Sequence, residues 1–400
     1  MSRPMKDSGV EWIGDIPEGW SVGKLKHFAK VKSGTYIDKN DYVIDGKYDI
    51  VGSNGKIGRT NKFNNAEKVI TTGRVGTIGT AYIIEEGWIT DNALVISTNA
   101  HIQLKYAYYV IPNFDFSNLS TGTAQPLITG TSIKNVKIPC PASIEEQQKI
   151  AAFLDNKASQ IDSIIENTKQ SIIEFKKYKQ ALITEAVTEG LNSDVKMKDS
   201  GIEWIGEIPE HWGVNTAKRV FRKEKRPIVN DEIVTAFRDG EVTQRRNRRT
   251  DGFTMADKEI GYQGVKSGDL VIHAMDAFAG AIGVSDSPGK CSPVCSICTP
   301  IIESNSYYYA YLLRTYSVLG YIESMAKGIR ERSTDFRYAT FAITPLVQPP
   351  IHEQQQIVDF LDEKIAHINA LIADKEKMVQ EMEEYKKALI YEYVTGKKEV

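Results

Sequence analysis

The sequence carries one sixteen-residue segment twice, and this repeat constrains the fold more than any other feature. Residues 5–20, MKDSGVEWIGDIPEGW, return at residues 197–212 as MKDSGIEWIGEIPEHW. A second pair follows, in which EQQKI at 146–150 matches EQQQI at 353–357. The offset between copies is near 200 residues, which is too long for a solenoid repeat of roughly 20–50 residues. We therefore expect two copies of a whole domain with its tail.

Each copy ends in a segment that predicts a long helix. Residues 144–188 contain neither Pro nor Gly, and apolar residues recur there every seven positions. A seven-residue repeat sustained over four heptads predicts a coiled-coil seam. Both tails share one register, so each helix is the simplest partner for the other; the alternative is packing on its own globular domain. The residues predicted to pair the helices are Leu154, Ile161, Ile165, Ile172, Phe175, Leu182, Leu361, Ile365, Ile368, Ile372, Met382 and Leu389.

The segments between the tails have a different pattern. They are rich in Gly, Tyr and β-branched residues, with frequent short turns, which predicts mostly β domains with some helix. The predicted fold class is α+β, with two such domains alternating with two long helices paired as an antiparallel coiled coil. An internal pseudo-two-fold duplication would relate the halves. The predicted segments are residues 1–142, the first globular domain; 143–196, the first long helix and linker; 197–350, the second globular domain; and 351–400, the second long helix.

The charge is distributed unevenly along the chain. The formal net charge of −2 excludes a uniformly basic nucleic-acid coat. The two globular segments carry net charges of +3 and +1, whereas the helical segments carry −2 and −4. If the chain binds a polyanion, the globular parts are expected to contact it and the helices to face something else.

Location follows from what the sequence lacks. No apolar run approaches the roughly 18 residues needed to span a bilayer. The first residues have no apolar core of a signal peptide, and four cysteines in 400 residues do not form a disulfide scaffold. We expect a cytoplasmic protein without membrane partners.

Basic and polar residues in turns are the candidates for DNA binding. Arginine forks can read guanine edges, Gln and Asn can read adenine edges, and all of them can hold phosphates. The alternative is a solvated arginine-rich face, and an Asn-Gly pair is most often only a hairpin turn. The candidate residues are Ser53, Asn54, Lys56, Arg59, Arg74, Arg238, Gln244, Arg245, Arg246, Arg248, Arg249, Lys327, Arg330 and Arg332.

The sequence offers little sign of catalysis. It contains no Walker A motif, no GxGxxG between a strand and a helix, and no HExxH, so we expect no catalytic residue, metal or cofactor in this chain. One alternative is an iron-sulfur enzyme of the radical S-adenosylmethionine type, because Cys291, Cys295 and Cys298 have the spacing of such clusters. Against it, cysteine is also a small buried hydrophobe, and residues 294–299 have the pattern of a strand.

The order and doubling of these motifs resemble specificity subunits of type I restriction-modification systems. The resemblance rests on the opening motif of each half, the Pro-rich exits before EQQ, and the Phe-Leu-Asp that follows. Within the domains, YDIVGSNG at 48–55 and GRVG at 73–76 resemble one target-recognition variant, and RDGEVT at 238–243 resembles another. One departure is Cys295, near which relatives often carry an aromatic residue.

The resemblance implies a DNA-reading subunit without catalysis of its own. Each globular domain, a target recognition domain, would read one half of an asymmetric bipartite DNA target. Two DNA-methyltransferase subunits and restriction subunits would assemble on the chain and supply S-adenosylmethionine, ATP and Mg. The paired helices would act as a spacer. A coiled-coil adaptor without DNA binding is the remaining alternative.

Overall fold

The computed structural model groups the chain into two compact units. Unit 1 comprises Met1–Lys169 and Glu376–Val400, and unit 2 comprises Gln170–Lys375. Each unit therefore contains one globular part together with portions of both long helices, whereas the predicted domains follow chain order. The described residues are 3–76, 78–114, 116–119, 127–248, 260–325 and 336–400.

Short strands and helices build the globular part of unit 1. Its strands are β1 Met5–Asp7, β2 Asp15–Pro17, β3 Ser21–Lys24, β4 Ala29–Ser33, β5 Tyr48–Gly52, β6 Gly55–Thr60, β7 Val69–Gly73, β8 Ala81–Ile84, β9 Gly87–Ile89, β10 Ala93–Thr98 and β11 Lys137–Cys140. Its short helices are α1 Leu104–Val110, α2 Phe116–Leu119 and α3 Gly130–Lys134. The first long helix, α4, follows at Ile144–Thr188.

The globular part of unit 2 has a comparable inventory. Its strands are β12 Met197–Asp199, β13 Glu207–Pro209, β14 Gly213–Thr216, β15 Phe221–Lys223, β16 Val234–Ala236, β17 Val242–Gln244, β18 Gln263–Val265, β19 Leu270–His273, β20 Ile282–Val284, β21 Gly289–Cys291, β22 Cys295–Pro300 and β23 Pro345–Gln348. Its short helices are α5 Ala217–Val220, α6 Ser306–Val318, α7 Tyr321–Ser324 and α8 Tyr338–Ile343. The second long helix, α9, is Ile351–Val394.

The main sheets of the two units have the same strand order. Unit 1 has an antiparallel sheet in the order β4-β10-β7-β8, and unit 2 has one in the order β15-β22-β19-β20. The repeated opening motif forms equivalent hairpins, β1-β2 and β12-β13. The strand that enters each globular part pairs with the strand that leaves it, as β3-β11 and β14-β23.

The units differ beside these main sheets. Unit 1 adds the sheet β6-β5-β9, in which β5 and β9 are parallel. Unit 2 has instead the pairs β16-β17 and β18-β21. Several residues that the sequence predicts for DNA contact, such as Ser53 and Gln244, lie in these dissimilar parts, whereas Arg74 follows β7 of the main sheet.

Strand periodicity explains why the main sheets are buried on both faces. In β10, Leu94 and Ile96 join one apolar cluster, whereas Ala93 and Val95 join another. Successive side chains of a strand point to opposite faces, so a continuous apolar run fits a strand covered on both sides.

The long helices bury the face that the seven-residue repeat predicts. The residues of α4 and α9 that the sequence predicts to pair the helices are buried or half-buried. In unit 1, Lys169 Nζ lies 3.0 Å from Glu383 Oε1 and Lys386 Nζ lies 2.6 Å from Asp162 Oδ2. Residue numbers rise on α4 as they fall on α9, so the two helices run in opposite directions there.

Unit 2 contains contacts of the same kind. Lys179 Nζ donates to Asn369 Oδ1 at 2.9 Å, and the Lys375 ammonium lies 5.6 Å from the Phe175 ring. The helices also contribute to the globular cores, since Leu154 of unit 1 and Leu361 of unit 2 belong to the main apolar clusters. Within each unit, α4 and α9 therefore contact each other and also pack on the globular part. Among the described residues, no helix is both long and apolar enough to cross a membrane.

Candidate nucleic-acid interface

The tryptophans of the repeated motif form hydrogen bonds between each globular part and a long helix. Trp20 Nε1 donates to Glu146 Oε1 at 3.0 Å, and Trp212 Nε1 donates to Glu353 Oε2 at 2.8 Å. Both indoles are almost fully buried. A buried indole N–H needs an acceptor, and a carboxylate at the start of a long helix provides one. The motif is therefore structural and lies apart from the candidate DNA contacts.

The repeated glutamines bind the starts of the short helices. Gln147 Oε1 accepts the backbone N–H of Gln103, the N-cap residue of α1, at 2.7 Å. Gln354 Oε1 accepts the N–H of Asn305, the N-cap residue of α6, at 2.9 Å. Both glutamines are buried, so these bonds satisfy backbone groups that water does not reach.

Two equivalent tyrosines bind the ends of the long helices. Tyr106 OH donates to the Val394 carbonyl at 2.8 Å, and Tyr308 OH donates to the Val187 carbonyl at 2.8 Å. Carbonyls in the last turn of a helix lack intrahelical partners, so the phenols satisfy them. Burial raises the pKa of both tyrosines well above the ordinary value, which keeps them neutral donors. Each globular part thus holds the start of one long helix and the end of the other.

The structure brings two of the predicted residues of unit 1 together. Ser53 lies in the β5-β6 turn, and its Oγ donates to the Asn92 carbonyl at 2.8 Å. Arg74 follows β7, and its Nη1 lies 3.4 Å from the Asp91 carbonyl and 3.5 Å from Ser33 Oγ. We call Ser33, Ser53, Arg74 and Asn92 the turn cluster. The sequence pattern did not identify Ser33 or Asn92, which join it only through the fold.

The other predicted residues of unit 1 lie beside this cluster. Lys56 Nζ is 2.7 Å from Asp49 Oδ1, and Arg59 Nε is 3.5 Å from the same oxygen. Asn54 Oδ1 accepts from Tyr82 OH at 3.2 Å. Asn54 and Lys56 line a groove of about 1390 Å³ together with parts of α1, α4 and α9.

Three predicted arginines of unit 2 carry polar partners at its surface. Arg238 Nη2 is 2.7 Å from Asp276 Oδ1, and Arg246 Nη1 is 2.7 Å from Glu232 Oε1. The side chains of these arginines are 68% and 60% exposed, so both can exchange their carboxylate for another anion. Arg245 is half-buried, and its Nε donates to Thr235 Oγ1 at 3.3 Å.

Gln244 does not lie at the surface. It ends strand β17, is 8% exposed, and donates from Nε2 to the Pro288 carbonyl at 2.9 Å. Strand periodicity turns this side chain inward, which residue type alone did not reveal. We therefore leave Gln244 out of the interface proposed below.

Arg248 packs against the hairpin that precedes it. Its guanidinium lies 4.2 Å from the centre of the Phe237 ring and 2.7 Å from Asp239 Oδ2, with Glu241 Oε2 at 3.1 Å. Burial alone would raise the pKa of Asp239, but hydrogen bonds from Arg248 and the Glu241 amide lower it overall. Arg248 thus closes the β16-β17 turn.

Replacing Arg248 with alanine is expected to destabilise unit 2 by about 1–2 kcal/mol, because a cation–π contact and a small ion-pair network are lost together. Thermal unfolding at neutral pH measures the change, with the exposed Arg246→Ala as the matched control.

The pKa of Asp239 is lowered in the fold, so its ion pair stabilises above the ordinary aspartate pKa of about 3.9 and is lost below it. The difference between wild type and Arg248→Ala should therefore shrink in acid; a difference independent of pH would assign the effect to Phe237.

The remaining predicted DNA contacts lie outside the described residues. They are Arg249, Lys327, Arg330 and Arg332.

The three closely spaced cysteines do not converge on one point. Cys291 and Cys295 belong to one apolar cluster, whereas Cys298 lies in another, as expected for positions three apart on β22. Burial raises the pKa of Cys298, and a hydrogen bond with Cys295 together with burial raises that of Cys291. Metals need thiolates, so this environment disfavours them. Within the described ranges, no three His, Cys, Asp or Glu residues are grouped for a metal.

Comparison with known proteins finds similar sequences for part of the chain. Residues 17–174 match the model of the Type I restriction modification DNA specificity domain. The type I restriction enzyme MjaVIII specificity subunit of Methanocaldococcus jannaschii is 34% identical over 99 residues, which cover 25% of this chain and 21% of that protein. A second protein of the same organism, described as a putative type I restriction enzyme MjaX specificity subunit, is 32% identical over 129 residues. These residues cover 31% of this chain and 28% of that protein. The matches thus span less than a third of either relative.

The fold has a counterpart among solved structures. A chain from a structure concerning complex assembly and conformational transition of the type I R-M system has a TM-score of 0.69 and 15% identity. The likeness covers 95% of this chain and 98% of that one. The first half of this chain contains a type I DNA specificity domain. The curated relatives that the chain matches in part are type I restriction enzyme specificity subunits.

Proposed function

We propose that this chain recognises DNA for a type I restriction-modification complex and has no catalytic role of its own. The observation that carries the proposal is the combination of one repeated sheet order with two dissimilar sets of polar turns. A duplicated scaffold would hold two target recognition domains, and the differing turns would read different bases. The target would then be bipartite and asymmetric.

Cationic side chains beside these turns support contact with a polyanion. In unit 1 the half-buried Arg74 lies in the turn cluster with two hydroxyls, and in unit 2 the exposed Arg238 and Arg246 lie near the two ends of the β16-β17 pair. Arginine at such positions can hold phosphates or read guanine edges. Hydroxyl and amide groups beside it can add contacts to base edges.

The long helices support a role in assembly. We propose that α4 and α9 form an antiparallel coiled coil through both units, related by a pseudo-two-fold duplication, and that it sets the separation of the half-sites. Their segments are acidic overall, in contrast to the globular segments. Two DNA-methyltransferase subunits, which would bring S-adenosylmethionine, would bind there, and restriction subunits with ATP and Mg would join them. The structural counterpart comes from a study of type I complex assembly.

Methylome sequencing tests the proposal directly. A methylation-free host expressing this chain with its methyltransferase should acquire one methylated motif made of two different half-sites and a fixed unread spacer. Cells with the methyltransferase alone are the control. A continuous or palindromic motif would contradict two-domain reading, and no methylation or DNA binding in an assembled complex would favour the adaptor alternative.

The variant Arg246→Ala is expected to show whether Arg246 contacts a base or a phosphate of the DNA. Its ion pair with Glu232 is exposed, so folding should be nearly unchanged. A base-reading arginine should cost about 1–3 kcal/mol of binding and relax one position of the second half-site, whereas a phosphate contact should weaken all sequences alike and flatten the salt dependence. Binding of the assembled complex to duplexes mutated in either half distinguishes the two. Wild-type behaviour on every duplex would make this arginine part of a solvated face.

A further inference from the structure

A small cavity in unit 2 is lined by Arg314 and Thr315, whose side chains make no hydrogen bond within the described residues. It measures about 290 Å³ and is lined by residues of α4, α6 and the loops beside them. Its polar lining includes Arg238, Arg314 and Thr315, and we call it the arginine cavity. It lies apart from the Arg246 surface discussed above, although Arg238 reaches both its wall and the solvent.

Arg314 is the central residue of this cavity. A Cβ placed on Gly240 would come within 2.4 Å of its Nη1, so the guanidinium lies directly against the backbone of the β16-β17 turn. The side chain is half-buried, yet no acceptor within the described chain makes a hydrogen bond or ion pair with it. Five N–H donors in a fixed fork remain available. Burying a cation without a partner is costly, and burial accordingly lowers the pKa of Arg314.

Thr315 provides a second unused donor. The residue is fully buried, and its Oγ1 has no hydrogen-bond partner among the residues that the structure describes. A threonine inside a helix can bond the carbonyl four residues earlier, but Thr315 does not. Because Thr315 also lines the cavity, its hydroxyl is a candidate donor to a group bound there.

The charges around the cavity favour an anion. Arg238 lines it, and Lys179 lies close enough that burial and the Arg314 charge lower its pKa. Two acidic groups nearby have closer partners, since Asp276 pairs with Arg238 at 2.7 Å and Asp239 pairs with Arg248 at 2.7 Å, although Asp239 also favours the charged form of Arg314. Arg314 itself makes no ion pair with a carboxylate of the described residues.

We propose that the arginine cavity binds a phosphate-type oxyanion through the Arg314 fork, with Thr315 and Arg238 as further donors. Arginine suits this task because its planar fork matches phosphate oxygens in pairs. A DNA phosphodiester and a free phosphate or nucleotide carry the same chemistry. The inference does not depend on DNA recognition, since the cavity and its donors exist whatever unit 2 reads.

Inorganic phosphate is the probe for the first test. Calorimetric titration and thermal unfolding of the full chain compare phosphate with chloride at equal ionic strength. We expect phosphate to stabilise the wild type, and Arg314→Gln to weaken phosphate binding by at least about tenfold, because a charge-assisted pair of bonds is lost. The matched control is Arg219→Gln, an exposed arginine of the same unit, which should behave as wild type.

Stability without phosphate gives an independent readout. Since Arg314 is unpartnered, Arg314→Gln should unfold at or above the wild-type temperature in chloride and below it in phosphate. Should that variant fail to fold, Thr315→Val keeps the shape of the side chain and removes only the hydroxyl, and it should also weaken phosphate binding. Equal phosphate stabilisation of wild type and both cavity variants, or no stabilisation of the wild type, would overturn the site.

A DNA arm identifies the source of the phosphate. If the cavity takes a DNA phosphodiester, Arg314→Gln should lower the salt slope of DNA binding by the assembled complex by about one, and phosphate should compete. If the ligand is free, DNA binding stays unchanged while phosphate binding is lost. A wild-type complex that binds phosphate but no DNA would refute the proposed function and leave the cavity assignment standing.

Discussion

Replacing Trp212 with alanine is expected to lower the free energy of unfolding of unit 2 by roughly 3–5 kcal/mol, the usual range for emptying a buried aromatic site. The indole is 1% exposed, belongs to the main apolar cluster and donates to Glu353 at 2.8 Å. Its loss would leave a cavity and would detach the β12-β13 hairpin from the start of α9. Denaturant unfolding of the full chain, followed by circular dichroism, measures the change.

Two variants separate the causes of that loss. Trp212→Phe keeps most apolar contacts but removes the N–H donor, and we expect about 1.5–3 kcal/mol for a bond to a charged acceptor. Tyr178→Ala removes an aromatic ring from α4 that is 58% exposed, and it should change stability by less than about 0.5 kcal/mol. If Trp212→Ala changed the free energy of unfolding as little as Tyr178→Ala, Trp212 would not stabilise unit 2, and the structural role of the repeated motif would be wrong.

The long helices were the most predictable part of the fold. The segment without Pro or Gly predicted a helix over 144–188, and α4 occupies Ile144–Thr188. The apolar positions of the register are buried or half-buried as expected. A helix is specified by local spacing, so a periodic sequence determines both its limits and the face it buries.

The candidate site was less predictable because its parts come from distant positions. Arg74 joins Ser33 and the backbone at residue 91 only when three strands of unit 1 are in place. Residue type suggested Gln244 as a DNA contact, whereas the strand it ends turns it inward. Nothing in the sequence around Arg314 distinguishes it from a surface arginine of α6. Such roles depend on tertiary packing, which spacing alone does not encode.

The features that the two halves share are not the features proposed to read DNA. Trp20, Gln147 and Tyr106, with their counterparts in unit 2, join globular parts to helix ends. They are constrained by packing in both copies, which explains why the repeat is visible there. The turns between strands make few such contacts and are free to differ. The repeated scaffold can therefore be recognised in the sequence, whereas the bases that the turns would contact cannot.

Lengthening both helices is expected to lengthen the spacer of the DNA target without changing its half-sites. We would insert four helix-forming residues after Lys169 in α4 and four before Glu376 in α9, where the chain passes between the two units. Four residues add about 6 Å of helix, close to two base pairs of rise. They also make nearly one full turn, so the apolar face is displaced by only about 40°. The linker after α4 is a poorer site, because Val187 accepts from Tyr308 and Gly190 packs against Trp212.

The methylated motif of a host expressing the lengthened chain with its methyltransferase provides the measurement. A spacer longer by about two base pairs with unchanged half-sites is the expected result. The matched control carries four extra residues in α4 alone, which shifts that helix by one turn against α9 and misaligns pairs such as Lys169 with Glu383. This control should lose methylation. If the double insertion changed the bases read and left the spacer as it was, the helices would not set the distance, and both half-sites would have to be read by determinants independent of helix length.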